Sequence, residues 1–164
     1  MQSPYLPIEA FFSPMAAPHR QRCTLLTRMN FTDLADGYLR YYRSQWVWEF
    51  EGYNEVILLC DDPDTAVEMC AALAEKCHST EELAYIAAGP FEDVLKQHGV
   101  EVIDSFKVAA AKSEKVRVAL SGVWIRKTDP VFEAWKQMMI DFGYWNHNPM
   151  SPLDRGWEPG MPCK

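Results

Sequence analysis

The chain has 164 residues, 48% of them apolar, 24% charged and 13% aromatic, with 16 basic against 23 acidic side chains for a formal charge of -7. That length and apolar share fit one domain that buries its own core, and they exclude a chain disordered throughout. The acidic balance would repel a phosphate backbone, so nucleic acid is not an expected partner, whereas a basic protein would be attracted.

Residues 1–29 carry Pro4, Pro7, Pro14 and Pro18 with no sustained period and read as extended or loosely attached. Order is expected from Asn30, which can cap a helix with Asp33 in its first turn. Met29, immediately before that cap, reads as an alternative or true translation start. Leu34, Tyr38, Tyr41 and Tyr42 then share a face. In "QWVWEFEGY" the rings of Trp46, Trp48 and Phe50 alternate as in a strand. A lone strand would leave its backbone groups unpaired, so a helix continuing through Val56–Leu59 is preferred. Asp62 and Pro63 mark the next start, an N-cap followed by a proline whose missing N–H costs nothing there. Its buried stripe is Ala66, Met69, Cys70 and Leu73. "STEEL" is a capping box of Ser79 and Glu82, opening a helix expected to run to Gly89.

Pro90 then starts a helix with Phe91, Val94 and Leu95 inward and with Lys96 and His98 near its negative end at Gly99. "VEVIDSFKVAAA" predicts a further helix with Val102, Ile103 and Phe106 on its apolar side, and "SEKVRVALSGVW" another. Asp129-Pro130 starts the last, with Phe132, Trp135, Met139 and Phe142 buried. The tail, 146–164, is rich in proline and glycine and is expected to be irregular, with Trp157 pinning part of it to the body. Ser79 and Gly89-Pro90-Phe91 are echoed by Ser113 and Gly122-Val123-Trp124 at an offset of 33 or 34 residues, a period that suits stacked helix pairs. The expected fold is a single all-α domain over 30–145, HEAT-like or an irregular helical array.

Taken together, "FTDLADGYLRYY", "WVWE", "DDPDTAVEM", "LAYIAAGPFEDVLKQHG" and "VALSGVW", spread from Phe31 to Phe142, resemble an uncharacterised bacterial helical family, number 6869 among the domains of unknown function. The resemblance implies a helical fold and a domain that starts late in the chain. It implies no activity, cofactor or catalytic residue.

The five cysteines, an odd number without a CxxC pair, read as reduced thiols in a cytoplasmic protein. No apolar run is long enough to span a bilayer, and no basic helical face suits a membrane surface. Cys77-His78 lacks the spacing and companions of a zinc site, so no metal is expected. No phosphate-binding, zincin or nucleophile-elbow motif occurs, and no cofactor is expected. Glu92 and His98 are the candidate catalytic residues, a carboxylate and an imidazole flanking one short helix. Six positions turn a helix by about 600°, so the two lie on different faces and cannot pair within it. First-turn acids and a last-turn histidine also complement the helix dipole. The aromatic and acidic run, with Trp46, Trp48, Glu49 and Glu51, reads as a binding surface, and Glu92 joins it as a contact residue. The leading expectation is therefore a protein-binding module for a basic partner, in the setting of an immunity protein that masks a basic toxin domain. The alternative is a small hydrolase or transferase using Glu92 with His98 or His78 brought from another helix.

Overall fold

The structure is a computed structural model and describes residues 30–44 and 51–145. Among the described residues it is all-α, with no strand. Met29, Trp46, Trp48, Glu49, Phe50 and Trp157 lie outside the described residues. Helix α1 spans Phe31–Ser44, α2 Glu51–Cys60, α3 Pro63–Lys76 and α4 Thr80–Ile86. One turn of π-helix, Ala87–Phe91, leads into α5, Glu92–His98. A 3-10 turn, Gly99–Val102, then leads into α6, Ile103–Lys112. Helices α7, Glu114–Gly122, and α8, Phe132–Asp141, complete the domain.

The starts follow local chemistry. Asn30 accepts the Thr32 N–H on its side chain at 3.0 Å and the Asp33 N–H on its carbonyl at 2.9 Å. Asp62, extended, accepts from the Asp64 N–H, with Pro63 at the first helical position. Ser79 and Ser113 play the same part, accepting the N–H groups of Glu82 and Val116.

Helix α3 is the centre of the packing. It touches α1, α2, α4, α5, α6 and α7, and Ala66, Met69, Cys70, Leu73 and Ala74 are fully buried along it. Two alanines in that set let neighbouring helices come close, and Met69 and Leu73 fill the remaining space. Beyond α3, Phe91 stacks on Phe106 with ring centroids 5.6 Å apart, joining α6 to the turn before α5. Trp135 of α8 donates its indole N–H to the Leu120 carbonyl at 2.9 Å and meets Trp145 edge-on.

Several boundaries depart from expectation. The helix begun at Ser79 ends at Ile86 rather than Gly89, because Pro90 has no N–H to continue the ladder. The chain widens into a π turn whose last bond runs from the Glu92 N–H to the Ala87 carbonyl. Residues 99–102 form a separate 3-10 turn, entered through Gly99 at φ 61°, ψ -130°, a conformation that an L side chain resists. Helix α8 begins at Phe132, not at Pro130: the Asp129 carboxylate turns back to accept the Arg126 N–H at 2.8 Å and so closes the preceding turn. Phe142, just past the end of α8, is half-buried, as are Tyr41 and Tyr42. The serine echo is alike only at its starts. Helical bonding continues past Gly89, whereas the chain leaves the helix at Val123 with φ -69°, ψ 142°.

Glu82 does more than close a capping box. Its carboxylate accepts the His78 N–H at 2.6 Å and a two-pronged bond from Arg43, Nε at 2.6 Å and Nη2 at 3.0 Å. Arg43 also donates to the Lys76 carbonyl at 2.9 Å, so one guanidinium ties the ends of α1 and α3 to the start of α4. It holds the Glu82 carboxyl below its ordinary 4.5. A depressed carboxyl stabilises the fold above the unfolded value and ceases to do so as pH falls through the lower folded one. Arg43→Ala is expected to cost about 1–2 kcal/mol in urea unfolding at pH 7, the modest end for a charged hydrogen bond because Arg43 is partly solvated. In Glu82→Gln, the part of the acid-induced loss of stability that begins below pH 4.5 is expected to shrink; an unchanged acid profile would contradict this role.

Candidate functional site

The π turn brings the backbone against α1. A Cβ built on Gly89 would stand 3.3 Å from the Tyr38 hydroxyl, so the absent side chain is what permits the close approach. Where α1 and α2 meet this corner they leave a cleft of about 400 Å³, within the range of small-molecule or side-chain receptors. Tyr38, Val56 and Pro90 form apolar wall, and Asp61 and Asp93 bring two carboxylates to it against the one ammonium of Lys96, which is paired with Glu92.

The two first-turn acids of α5 have different surroundings. Glu92 is ion-paired with Lys96 one turn on, and its other oxygen accepts the Trp124 N–H at 3.1 Å. It thereby anchors the strap between α7 and α8, on which Trp124 stands 79% exposed. Asp93 has no hydrogen-bond donor among the described residues and faces the cleft. Partial burial raises its carboxyl above the ordinary 3.8, with the negative Glu92 adding to that and Lys96 opposing it. Across the cleft, Gln97 donates to Asp61 at 3.2 Å. The His98 ring N–H is given to the Cys60 carbonyl at 2.8 Å, which fastens the end of α5 to the end of α2.

Glu92 and His98 are thus not brought together, and the rotation between them sends one to the Trp124 strap and the other to α2. The hydrogen bond from His78 is that of its backbone N–H to Glu82, at a separate joint. Glu51 opens α2, and its side chain is outside the described residues. From the sequence Asp61 reads only as one of an acidic run and Asp93 only as a first-turn acid beside Glu92, and neither is singled out as a site residue. Asp61 sits beside the N-cap Asp62 and Asp93 beside the first-turn Glu92, and neither spacing nor composition tells which of two neighbouring carboxylates will face a cleft.

Burial pushes the Cys77 thiol up to about 12 and raises that of Cys70 well above its ordinary value, so both are held as neutral thiols. Among the described residues no group of His, Cys, Asp or Glu is placed to hold a metal ion. No helix among them is long and apolar enough to cross a membrane.

The model of a family of unknown function (DUF6869) matches residues 40–140. The chain belongs to this family. No curated protein and no solved structure matches it. The DUF6869 span takes in α2 to α7 entire, the Gly89-Pro90 corner, both cleft carboxylates and the Trp124 strap.

Replacing Glu92 with alanine is expected to release that strap while the core persists. Amide exchange at Trp124 should rise roughly tenfold or more, as about 1.5 kcal/mol of charged hydrogen bonding is lost locally. Equal rates in both proteins would show that the strap is held by something else. Gly89→Ala should cost about 1 kcal/mol, since Tyr38 must give way, with the largest chemical-shift changes at Tyr38.

Proposed function

We propose that this chain is a helical protein-binding module for a basic partner, and that the corner cleft receives a lysine or arginine side chain of that partner. The observation that carries the reading is the pairing of Asp61 and Asp93 with an apolar wall. A long cationic side chain lays its methylene stem on apolar surface and presents its charge at the tip, so Val56, Pro90 and the Tyr38 ring suit the stem and the carboxylates suit the head. Among the described residues Asp93 accepts no hydrogen bond, so no donor there competes with an incoming cation. A net charge of -7 would speed the encounter with a basic surface. The setting we propose is cytoplasmic, with an immunity-type protein that masks a basic toxin domain as its specific form.

The test is an NMR titration of the full chain with N-acetyl-arginine amide, using N-acetyl-norleucine amide as the uncharged control. The arginine probe should shift Tyr38, Asp93 and Gln97 with a Kd on the order of millimolar, as expected for so small a ligand. Asp93→Asn should weaken it several-fold. Because the Asp93 carboxyl lies above 3.8, binding should begin to fall at a higher pH than an ordinary aspartate would give. If arginine and norleucine probes perturb the same residues equally, the reading fails.

A further inference from the structure

A second concavity lies away from the corner, between α3 and α6, with a volume of about 590 Å³. Along α3, Asp64, Glu68, Ala71 and Glu75 line it at i, i+4, i+7 and i+11. Glu101, Ser105, Val108 and Lys112 line the opposite side at the same intervals. That spacing keeps the α3 row on one face for about 16 Å, some three helical turns, and Ser105, Val108 and Lys112 on one face of α6, with Glu101 added from the 3-10 turn before it. Val67 and Val102 form a closed apolar floor, while Val108 stands 56% exposed on the rim. The Ser113 hydroxyl donates to Glu75 and Lys115 donates to the Glu75 carbonyl, which pins the two walls together at one end.

We infer that the α3–α6 groove docks an amphipathic helix of the basic partner, its apolar stripe on Val67, Ala71 and Val108 and its cations against Asp64, Glu68, Glu75 and Glu101. This rests on the proposed binding of a basic partner and names the form that partner presents. Length and shape fit a helix laid in a groove. Charge selects which helix: four carboxylates stand against the one ammonium of Lys112, so an acidic helix would meet repulsion and a neutral one would leave the walls unpaired. The corner cleft takes one side chain; this groove takes an element.

The probes are three amidated 14-residue peptides with leucines at helical spacing and lysine, glutamine or glutamate elsewhere, titrated into the isotope-labelled full chain. The lysine peptide is expected to shift Glu68, Ala71 and Val108 and to bind at least about tenfold tighter than the glutamine peptide, with the glutamate peptide weakest. The double variant Glu68→Lys, Glu101→Lys should lower lysine-peptide affinity about tenfold or more while its circular dichroism and melting stay those of the parent. Asp93→Asn should leave the lysine-peptide shifts at Glu68, Ala71 and Val108 in place. Equal affinity for lysine and glutamine peptides, or shifts mapping elsewhere, would overturn the inference. So would concentration-dependent shifts at Val108 with sedimentation showing dimers, since a second copy would then fill the groove. Lysine-peptide binding abolished by Asp93→Asn and untouched by the charge reversals removes the groove and leaves the cleft reading standing. No response to any cationic probe at either place removes both.

Discussion

The burial of α3 on every side but one is the constraint from which the rest follows. Its fully buried alanines draw the surrounding helices in, and a helix so enclosed must satisfy its terminal backbone groups with side chains from those neighbours. At its start, Asp62 and Pro63 are supplied by the chain itself. At its end, Arg43 from α1 and Lys115 from α7 bring cations to the last carbonyls, where the negative end of the helix dipole favours them. The same contacts therefore fix helix positions and neutralise the helix end. The single face left uncovered carries Asp64, Glu68 and Glu75, and it becomes the wall of the α3–α6 groove.

Charge is distributed with a comparable economy of partners. Glu82 and Glu92 each hold a cation and a backbone N–H, and each locks a joint: α1 to α4 in one case, the corner to the Trp124 strap in the other. Their charge is balanced where it sits. Asp93, next to one of them, has its carboxyl raised first by partial burial and then by the negative Glu92, with Lys96 opposing. An acid bound into a joint and an acid open to the cleft thus stand side by side on one turn of α5. The distinction between them is made by which way each side chain leaves the helix.

Much of the helical order was legible because its determinants are local. Asp62-Pro63, Ser79 and Ser113 are read from a few adjacent residues, and each meets its backbone N–H within three positions. Apolar periodicity likewise placed Phe91, Val94, Leu95 and Phe106 inside. Local reading misled where two signals competed for one residue. Asp129 looked like a forward cap for the helix after Pro130, yet its carboxylate serves the turn behind it. Gly89 looked like a helix end, yet the missing N–H of Pro90 was absorbed by a wider turn.

By itself the sequence determined an all-α chain, its capped starts, its apolar faces and its negative charge, since these depend on neighbours within a few residues or on sums over the whole chain. Tertiary structure decided which acid was joined to what: Arg43 reaches Glu82 across 39 positions, and Glu92 reaches Trp124 across 32. It also decided that His98 holds the carbonyl of Cys60 rather than a catalytic partner, and that Asp93 opens onto a cleft beside Asp61. Such pairings arise from helix packing in three dimensions, where side chains far apart in the chain become the nearest available partners, and no periodicity along a single helix records them.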